Sequence, residues 1–356
     1  MNSPTRRSNA VLGALVASLL GVLAAPDIPS VSLGSGVRLP MALWGSGGAT
    51  QENATSTEAA VAVAVSGGVG FPGVDCANHY HNQDGVARGI ARSGTSRGSV
   101  WLTTKVEPCN NGGFITPVRP GHCHNDTLAA VAQNLRQLGT DTVDLTLLHS
   151  PPCLLNASWD DGRCYWPDQP DAVYPQGANC SAPQACAMMR AQWRALEAAL
   201  LAGRTRAIGV SNFCPACLEC LASDPARRVP PAVNQVQFHL GMPGGADPAG
   251  LLSYCRRRGI VVQAYSPLGS SDDVTKLLGS PVVQRVAKAH NRSAAQVCLR
   301  WVAQLGVPFA TSTVNAQFMR EDLDVFAWTL TVEEMQQLSA LRLTPDADPV
   351  KGMCLL

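Results

Sequence analysis

Val143-Asp144-Leu145-Thr146-Leu147-Leu148-His149 is a short apolar run that ends on a histidine, and one unit earlier Val100-Trp101-Leu102-Thr103-Thr104-Lys105-Val106 has the same texture and carries a lysine near its end. Runs of this length, rich in β-branched and aliphatic residues, read as buried strands. Outward from these two, similar runs fall at 73–76, 206–210, 232–238, 260–265 and 308–311, with 39–44 as the first. Helical patterns lie between them, at 57–66, 84–93, 127–138, 188–202, 248–258 and 281–305. The alternation recurs at intervals of about 30 to 40 residues, the rhythm of parallel strands joined by crossover helices. Eight such units predict an α/β protein, a (β/α)8 TIM barrel over residues 31–343, and the span fits the roughly 250 residues this architecture needs before insertions. A doubly wound dinucleotide fold is disfavoured, because no helix starts within the glycine-rich string Gly45-Ser46-Gly47-Gly48.

Two stretches interrupt the rhythm. Residues 109–123 form a Gly/Pro loop after the third strand, and residues 151–187 form a Cys-rich, turn-rich insertion after the fourth. Both follow C-terminal strand ends, the barrel face that carries active sites.

Composition narrows the function classes. Of 356 residues, 46% are hydrophobic and 15% charged, with a formal net charge of +1. Such a surface offers no field to attract a phosphate backbone, so nucleic acid is excluded as a partner. The apolar content is enough for a large core, which excludes a disordered or fibrous chain. At the N-terminus Arg6 and Arg7 precede an uncharged run over residues 10–25 that ends on Ala24 and Ala25. Basic, then apolar, then small is the layout of a secretory signal over residues 1–25, and the run is short for a membrane span. A secreted or endoplasmic-reticulum protein is therefore expected, free of the membrane after cleavage, with a signal anchor as the alternative. N-x-S/T sequons at Asn53, Asn125, Asn156, Asn179 and Asn291 agree with that compartment. Residues 344–356 read as a tail carrying Cys354.

In a barrel, polar residues at strand C-termini are the first candidates for chemistry. Asp75, Lys105 and His149 end consecutive strands, and Tyr80 follows Asp75 in the next loop. Together they can protonate a carbonyl oxygen. A tyrosine of ordinary pKa, about 10, needs a nearby cation to favour its phenolate, and Lys105 could supply it. Asp75 would hold the lysine charged, and His149 would donate a hydrogen bond that orients the oxygen while Tyr80 delivers the proton.

The chain resembles the aldo-keto reductases from about residue 31 to 343. The motifs that carry the resemblance are Val74-Asp75-Cys76-Ala77 with Tyr80, Leu102-Thr103-Thr104-Lys105, Asp144-Leu145 through Leu148-His149, Gly209-Val210-Ser211-Asn212-Phe213, Asn234-Gln235 and Ala264-Tyr265-Ser266-Pro267-Leu268-Gly269-Ser270. The resemblance implies reduction of small aldehydes or ketones by hydride transfer from a nicotinamide lying across the top of the barrel, without metal or flavin. It assigns the family's catalytic tetrad to Asp75, Tyr80, Lys105 and His149. It also implies that Ser211, Asn212 and Gln235 hold the carboxamide, that Tyr265 stacks on the nicotinamide ring, that Ser266, Leu268 and Ser270 line the pyrophosphate, and that Gly45 and Ser46 stand for the Gly-Thr that ends the first strand.

The adenosine end departs from the family. Its Ile-Pro-Lys-Ser, then Arg, then Glu-Asn align with Ala310-Thr311-Ser312-Thr313, Phe318 and Glu321-Asp322, so Ser312 and Phe318 replace the two cations that read a 2′-phosphate. Arg320 lies about 200° around the helix from Phe318 and is a poor substitute. Phe318 can stack on adenine, with Ser312, Thr313, Glu321 and Asp322 as the remaining contacts. NADP(H) is expected through the resemblance, with NAD(H) as its rival. Gly47 stands at the family's usual tryptophan position, leaving one pocket wall to Trp44 or Trp166.

Six of 13 cysteines, Cys109, Cys123, Cys153, Cys164, Cys180 and Cys186, lie in the two loops and read as three disulfides, most simply paired within each loop. Cys214 and Cys217 have redox-pair spacing but read as structural, and Cys217 and Cys220 at helical spacing read as core-facing. Cys76, Cys255 and Cys298 read as buried thiols. No metal is expected, because His79, His81, His122 and His124 match no common ligand spacing. A monomer, or a dimer linked through Cys354, follows. Two other functions compete: a cofactor-binding interaction module without turnover, and a disulfide exchanger using Cys214 and Cys217.

Overall fold

The computed structural model describes residues 27–343, apart from 35, 51, 110–120, 153–182, 270 and 271. The expected signal, the tail, Trp166 and most of the two loops lie outside the described residues. An antiparallel hairpin of β1 (Ser30–Ser32) and β2 (Arg38–Pro40) precedes a closed barrel. The barrel strands are β3 (Ala42–Gly45), β4 (Gly73–Asp75), β5 (Trp101–Val106), β6 (Val143–Leu148), β7 (Thr205–Ser211), β8 (Val233–Gln237), β9 (Val261–Tyr265) and β10 (Phe309–Thr311). All neighbours are parallel, and β10 pairs with β3 to close the ring. The (β/α)8 barrel expected from the strand rhythm is the fold observed. The run expected as one strand at 39–44 is two, β2 and β3, because the segment up to Pro40 pairs with the hairpin rather than the barrel.

Strand alternation sends every second side chain inward. Leu43, Trp101, Leu145, Leu147, Ala207, Val233 and Ala310 fill the barrel, and Leu33, Val37 and Leu39 of the hairpin join that cluster and plug its N-terminal end. The space is tight enough to require glycine at two inward positions. A Cβ on Gly73 would lie 2.5 Å from that of Trp101, and one on Gly209 would lie 2.6 Å from the Val233 carbonyl oxygen.

The opposite strand faces pack against helices in the larger apolar layer. These are α1 (Ala54–Ala64), α2 (Gln83–Arg92), α3 (Cys123–Gln137), α4 (Pro183–Leu201), α5 (Pro215–Ala222), α6 (Leu251–Arg257), α7 (Asp272–Leu278), α8 (Pro281–His290), α9 (Ala294–Gln304), α10 (Ala316–Asp324) and α11 (Val332–Ser339). The single helix expected at 281–305 is two: Asn291 adopts a left-handed φ of 51°, and Ser293 opens α9 with a capping box to Gln296. The pattern expected at 248–258 is helical in α6 only from Leu251, after a 3-10 turn at Pro248–Gly250. Between α1 and α2, Gly85 and Gly89 let the helices touch; a Cβ on Gly85 would fall 2.2 Å from the Ala54 carbonyl oxygen.

Cys109 and Cys123 are joined, as expected for one loop. Cys186 is not paired within its own loop: α4 begins at Pro183, inside the expected insertion, and carries Cys186 to Cys220 of α5. Cys217 and Cys220 lie buried in the apolar layer, as expected, and Cys220 is bonded there to Cys186. Cys153, Cys164 and Cys180 lie outside the described residues. Cys214 and Cys217 are not bonded to each other, their sulfurs standing 3.6 Å apart, and neither is a free thiol. Cys76, Cys255 and Cys298 are free and buried. Among the described residues, no helix is long and apolar enough to cross a membrane.

Candidate active site

The parallel register brings the C-terminal ends of β4, β5 and β6 side by side, and with them Asp75, Lys105 and His149. Asp75 and Lys105 are inward-facing and almost wholly buried, at 3% and 1% exposure. Lys105 Nζ donates to Asp75 Oδ1 at 2.5 Å, to the Cys76 carbonyl at 3.1 Å and to Tyr80 Oη at 3.3 Å. Tyr80 sits on a 3-10 turn, Asn78–Tyr80, that drops its ring over the lysine. The imidazole of His149 stands edge-on to the Tyr80 ring, with centroids 5.7 Å apart. The four residues singled out in the sequence therefore meet at one point.

Their electrostatics differ from expectation in one respect. Burial drives the Tyr80 pKa above its ordinary value; Lys105 opposes this without reversing it, and Asp75 adds to it. Tyr80 is thus a neutral phenol at physiological pH, a proton holder rather than a standing phenolate. Burial also works against charge on Lys105, but the Asp75 carboxylate and the Tyr80 oxygen outweigh it and hold the ammonium above its usual range.

The base of the site is a polar network of which the sequence flagged only Gln235. Gln235 Nε2 donates to Asp75 Oδ2 at 2.6 Å and to Gln263 Oε1 at 3.0 Å. Asn134 of α3 donates to the Lys105 carbonyl and accepts from Asn78 and Gln83, the latter also accepting from Thr104. Beyond Lys105, Glu107 is 1% exposed, and its Oε1 lies 2.9 Å from Nδ1 of His149. Gln192 of α4 donates to the Glu107 carbonyl and accepts from the Cys109 amide, fixing that strand end. Carrying the strand alternation from Thr103 and Lys105 one step further would have found Glu107.

Beside the tetrad, Ser211, Asn212, Gln235 and Tyr265 cluster at the ends of β7, β8 and β9. Asn212 takes a left-handed φ of 61°, donates to the His149 carbonyl and accepts from the Tyr265 hydroxyl at 2.9 Å. A hydroxyl, two side-chain amides and an aromatic ring fit a planar, carboxamide-bearing ring, which needs donors, acceptors and a flat support. Past Tyr265, Ser266 (φ 47°) and Gly269 (φ 83°) shape a tight turn with Leu268 half-buried; Ser270 lies outside the described residues. Gly45 is buried at the end of β3, and the buried Ser46 hydroxyl donates to Asn82, whose amide holds the Ser46 and Thr50 carbonyls.

Where the sequence reading expects the adenosine end, Ser312 and Phe318 are exposed, and Asn315 caps α10. Arg320 is turned away, donating to the Gly68 and Ala316 carbonyls. Glu321 accepts from Gln317, while Asp322 is buried, accepts from Thr311 and has its pKa pushed up to about 7 by that burial. Trp44 does not rebuild the missing pocket wall: one residue past the inward Leu43, it faces the helix layer, wholly buried, and donates to the Thr313 carbonyl. Gly47 lies against Tyr80, and a Cβ there would come within 3.0 Å of the phenol ring.

Residues 41–342 match the aldo/keto reductase family model. Glyoxal reductase of Bacillus subtilis (strain 168) is 32% identical over 323 residues, covering 90% of this chain and 96% of the relative. Morphine 6-dehydrogenase of Pseudomonas putida is 33% identical over 331 residues, covering 89% and 94%. A solved aldo/keto reductase from Brucella melitensis superposes with a TM-score of 0.67 at 27% identity, covering 88% of this chain and 98% of that one.

Proposed function

The chain belongs to the aldo/keto reductase family, an oxidoreductase family for which carbonyl reduction with a nicotinamide cofactor is the general activity, and we propose that it reduces small aldehydes or ketones to alcohols with Tyr80 as the proton donor. The observation that carries this reading is the unbroken chain from Asp75 through Lys105 to Tyr80, with His149 at its edge. When bound, the cofactor supplies a hydride to the carbonyl carbon. His149 orients the carbonyl oxygen by a hydrogen bond. Tyr80 gives up its Oη–H proton to that oxygen, completing the alcohol, and the phenolate left behind faces the Lys105 ammonium 3.3 Å away. Asp75 keeps the ammonium charged, so the phenolate has a partner at the moment it forms. The phenol is reprotonated from solvent.

Ser211, Asn212, Gln235 and Tyr265 would hold the nicotinamide, and NADP(H) is the reductant favoured by the resemblance. With Ser312 and Phe318 in place of cations and Arg320 turned away, discrimination against NAD(H) is small. The secretory pathway is part of the same reading, supported by the basic, apolar and small order of residues 1–25 and by the disulfides Cys109–Cys123 and Cys186–Cys220. The test is Tyr80→Phe, which should abolish reduction across a panel of aldehydes while fluorescence titration shows cofactor binding retained. Unchanged turnover in this variant refutes the mechanism.

A further inference from the structure

Resting on the reductase reading above, we propose that Asn134 of α3 is a positioning residue for proton delivery: its one buried carboxamide ties the Lys105 backbone to both flanks of the turn that carries Tyr80, and so sets how the phenol meets the ammonium.

The need for such a clamp arises in the strand pairing. In a strand, carbonyls two residues apart point to the same neighbour. On β5 the Thr103 carbonyl accepts from the Cys76 amide just past β4, whereas the Val106 carbonyl accepts from the His149 amide on the β6 side. The Lys105 carbonyl, two residues past Thr103, therefore faces the β4 side, where the chain has already left the sheet for the turn Asn78–Tyr80. A buried carbonyl that has lost its ladder partner must find another donor. Asn134 Nδ2 donates to it at 2.9 Å.

A carbonyl only accepts, so this bond fixes which end of the carboxamide faces the strand and leaves its oxygen for the turn. Asn134 Oδ1 accepts from Asn78 Nδ2 at 2.9 Å and from Gln83 Nε2 at 3.0 Å. Asn78 opens the turn that ends on Tyr80, and Gln83 opens α2 just after it. Asn78, Gln83 and Asn134 are all at most 2% exposed. Gln137 Oε1 offers a second acceptor to Gln83 at 2.8 Å and to Asn78 at 3.4 Å, and Gln83 Oε1 accepts from the Thr104 hydroxyl at 2.6 Å. Of these side chains, only Asn134 also bonds the Lys105 backbone.

The clamp bears on the chemistry through one distance. Lys105 and Tyr80 come from different elements, β5 and the turn, and their Nζ and Oη are 3.3 Å apart. The ammonium stabilises the phenolate that forms on proton transfer only while that spacing is kept. Every group in the clamp is a neutral amide, carbonyl or hydroxyl, so it works independently of pH wherever the chain is folded.

The test uses the full chain with reduced cofactor and a small aldehyde. Asn134→Leu keeps the size and removes both donor and acceptor. It should lower kcat by about tenfold or more and leave cofactor affinity in fluorescence titration unchanged. The solvent deuterium isotope effect on kcat should rise, because proton transfer from a displaced phenol becomes limiting. Leu135→Ala, which removes a buried side chain from the same helix without touching the clamp, should leave kcat and the isotope effect nearly unchanged. Asn78→Ala cuts the clamp from the turn side and should act in the same direction as Asn134→Leu; it carries the test alone if that variant does not fold. Losses from the two should not add when they are combined. An unchanged kcat in either clamp variant, additive losses, or an equal loss in Leu135→Ala overturns the proposal. If the unsubstituted protein reduces no aldehyde, the reductase reading fails, and hydrogen exchange decides the clamp by itself. The Tyr80 and His81 amides, bonded within the turn, should then lose about tenfold in protection in a clamp variant relative to those of α9, and unchanged protection overturns it.

Discussion

Replacing Asp75 with asparagine leaves Lys105 1% exposed, with neutral partners only, at the bottom of the site. Breaking a buried ion pair from one side costs about 3–5 kcal/mol when the remaining charge stays. Lys105 can escape that cost by losing its proton. From an unfolded pKa of about 10.4, neutralisation at pH 7 costs about 4.6 kcal/mol, at roughly 1.4 kcal/mol per pH unit. The expected destabilisation at pH 7 is therefore about 3–5 kcal/mol, bounded above by deprotonation. The two routes separate with pH. In the unsubstituted protein the folded pKa of Lys105 is raised, so its contribution is fully present below about 10.4 and flat between pH 7 and 9. In Asp75→Asn a neutral folded lysine binds fewer protons than the unfolded one, so stability rises with pH, and the gap to the unsubstituted protein shrinks by about 1.4 kcal/mol per unit. Urea unfolding of both proteins at pH 7, 8 and 9 measures the gap, and groups shared by the two cancel in the difference. A gap below about 1 kcal/mol at pH 7 refutes the reasoning, and a gap of full size that stays constant from pH 7 to 9 selects the route in which Lys105 keeps its charge.

Three further outcomes follow from other parts of the molecule. Ser312→Lys adds an ammonium where the 2′-phosphate is expected; a charged hydrogen bond of about 1.5–3 kcal/mol should tighten NADPH at least tenfold and leave NADH nearly unchanged in parallel fluorescence titrations. Asp322, with its carboxyl raised to about 7, keeps its proton on folding where the unfolded chain has lost it, so it depresses stability increasingly as pH rises from about 4 to 7. Asp322→Asn should accordingly stabilise by up to about 4 kcal/mol above pH 7 and by nothing near pH 4, read from urea midpoints. Gly85→Ala forces a methyl against the Ala54 carbonyl and should lower stability by about 1–3 kcal/mol, as a lower urea midpoint with unchanged slope.

The barrel and its tetrad were legible because both rest on local signals. Strand texture recurs unit by unit, and Asp75, Lys105 and His149 each end a strand, so knowing the architecture was enough to bring them together. What escaped the sequence depends on parity or on distance along the chain. Trp44 was a candidate pocket wall, yet one step past the inward Leu43 it must face the helices, and it spends its indole N–H on the Thr313 carbonyl. The Cys186–Cys220 bond spans 34 residues and joins two helices, so neither loop membership nor spacing announces it. The break at Asn291 was hidden because apolar periodicity continues through it, although a left-handed Asn followed by a Ser cap is itself a readable stop and start. Glu107 is the instructive case. By its apolar texture the strand ends at Val106, and a glutamate next to Pro108 looks like a loop residue. Only the inward parity shared with Thr103 and Lys105 says that the charge points into the barrel, where burial at 1% exposure beside His149 makes it part of the site's electrostatics. In a barrel of this kind the alternation should be followed past the last hydrogen-bonded strand residue, since the side chains that tune the chemistry sit where the ladder has just stopped.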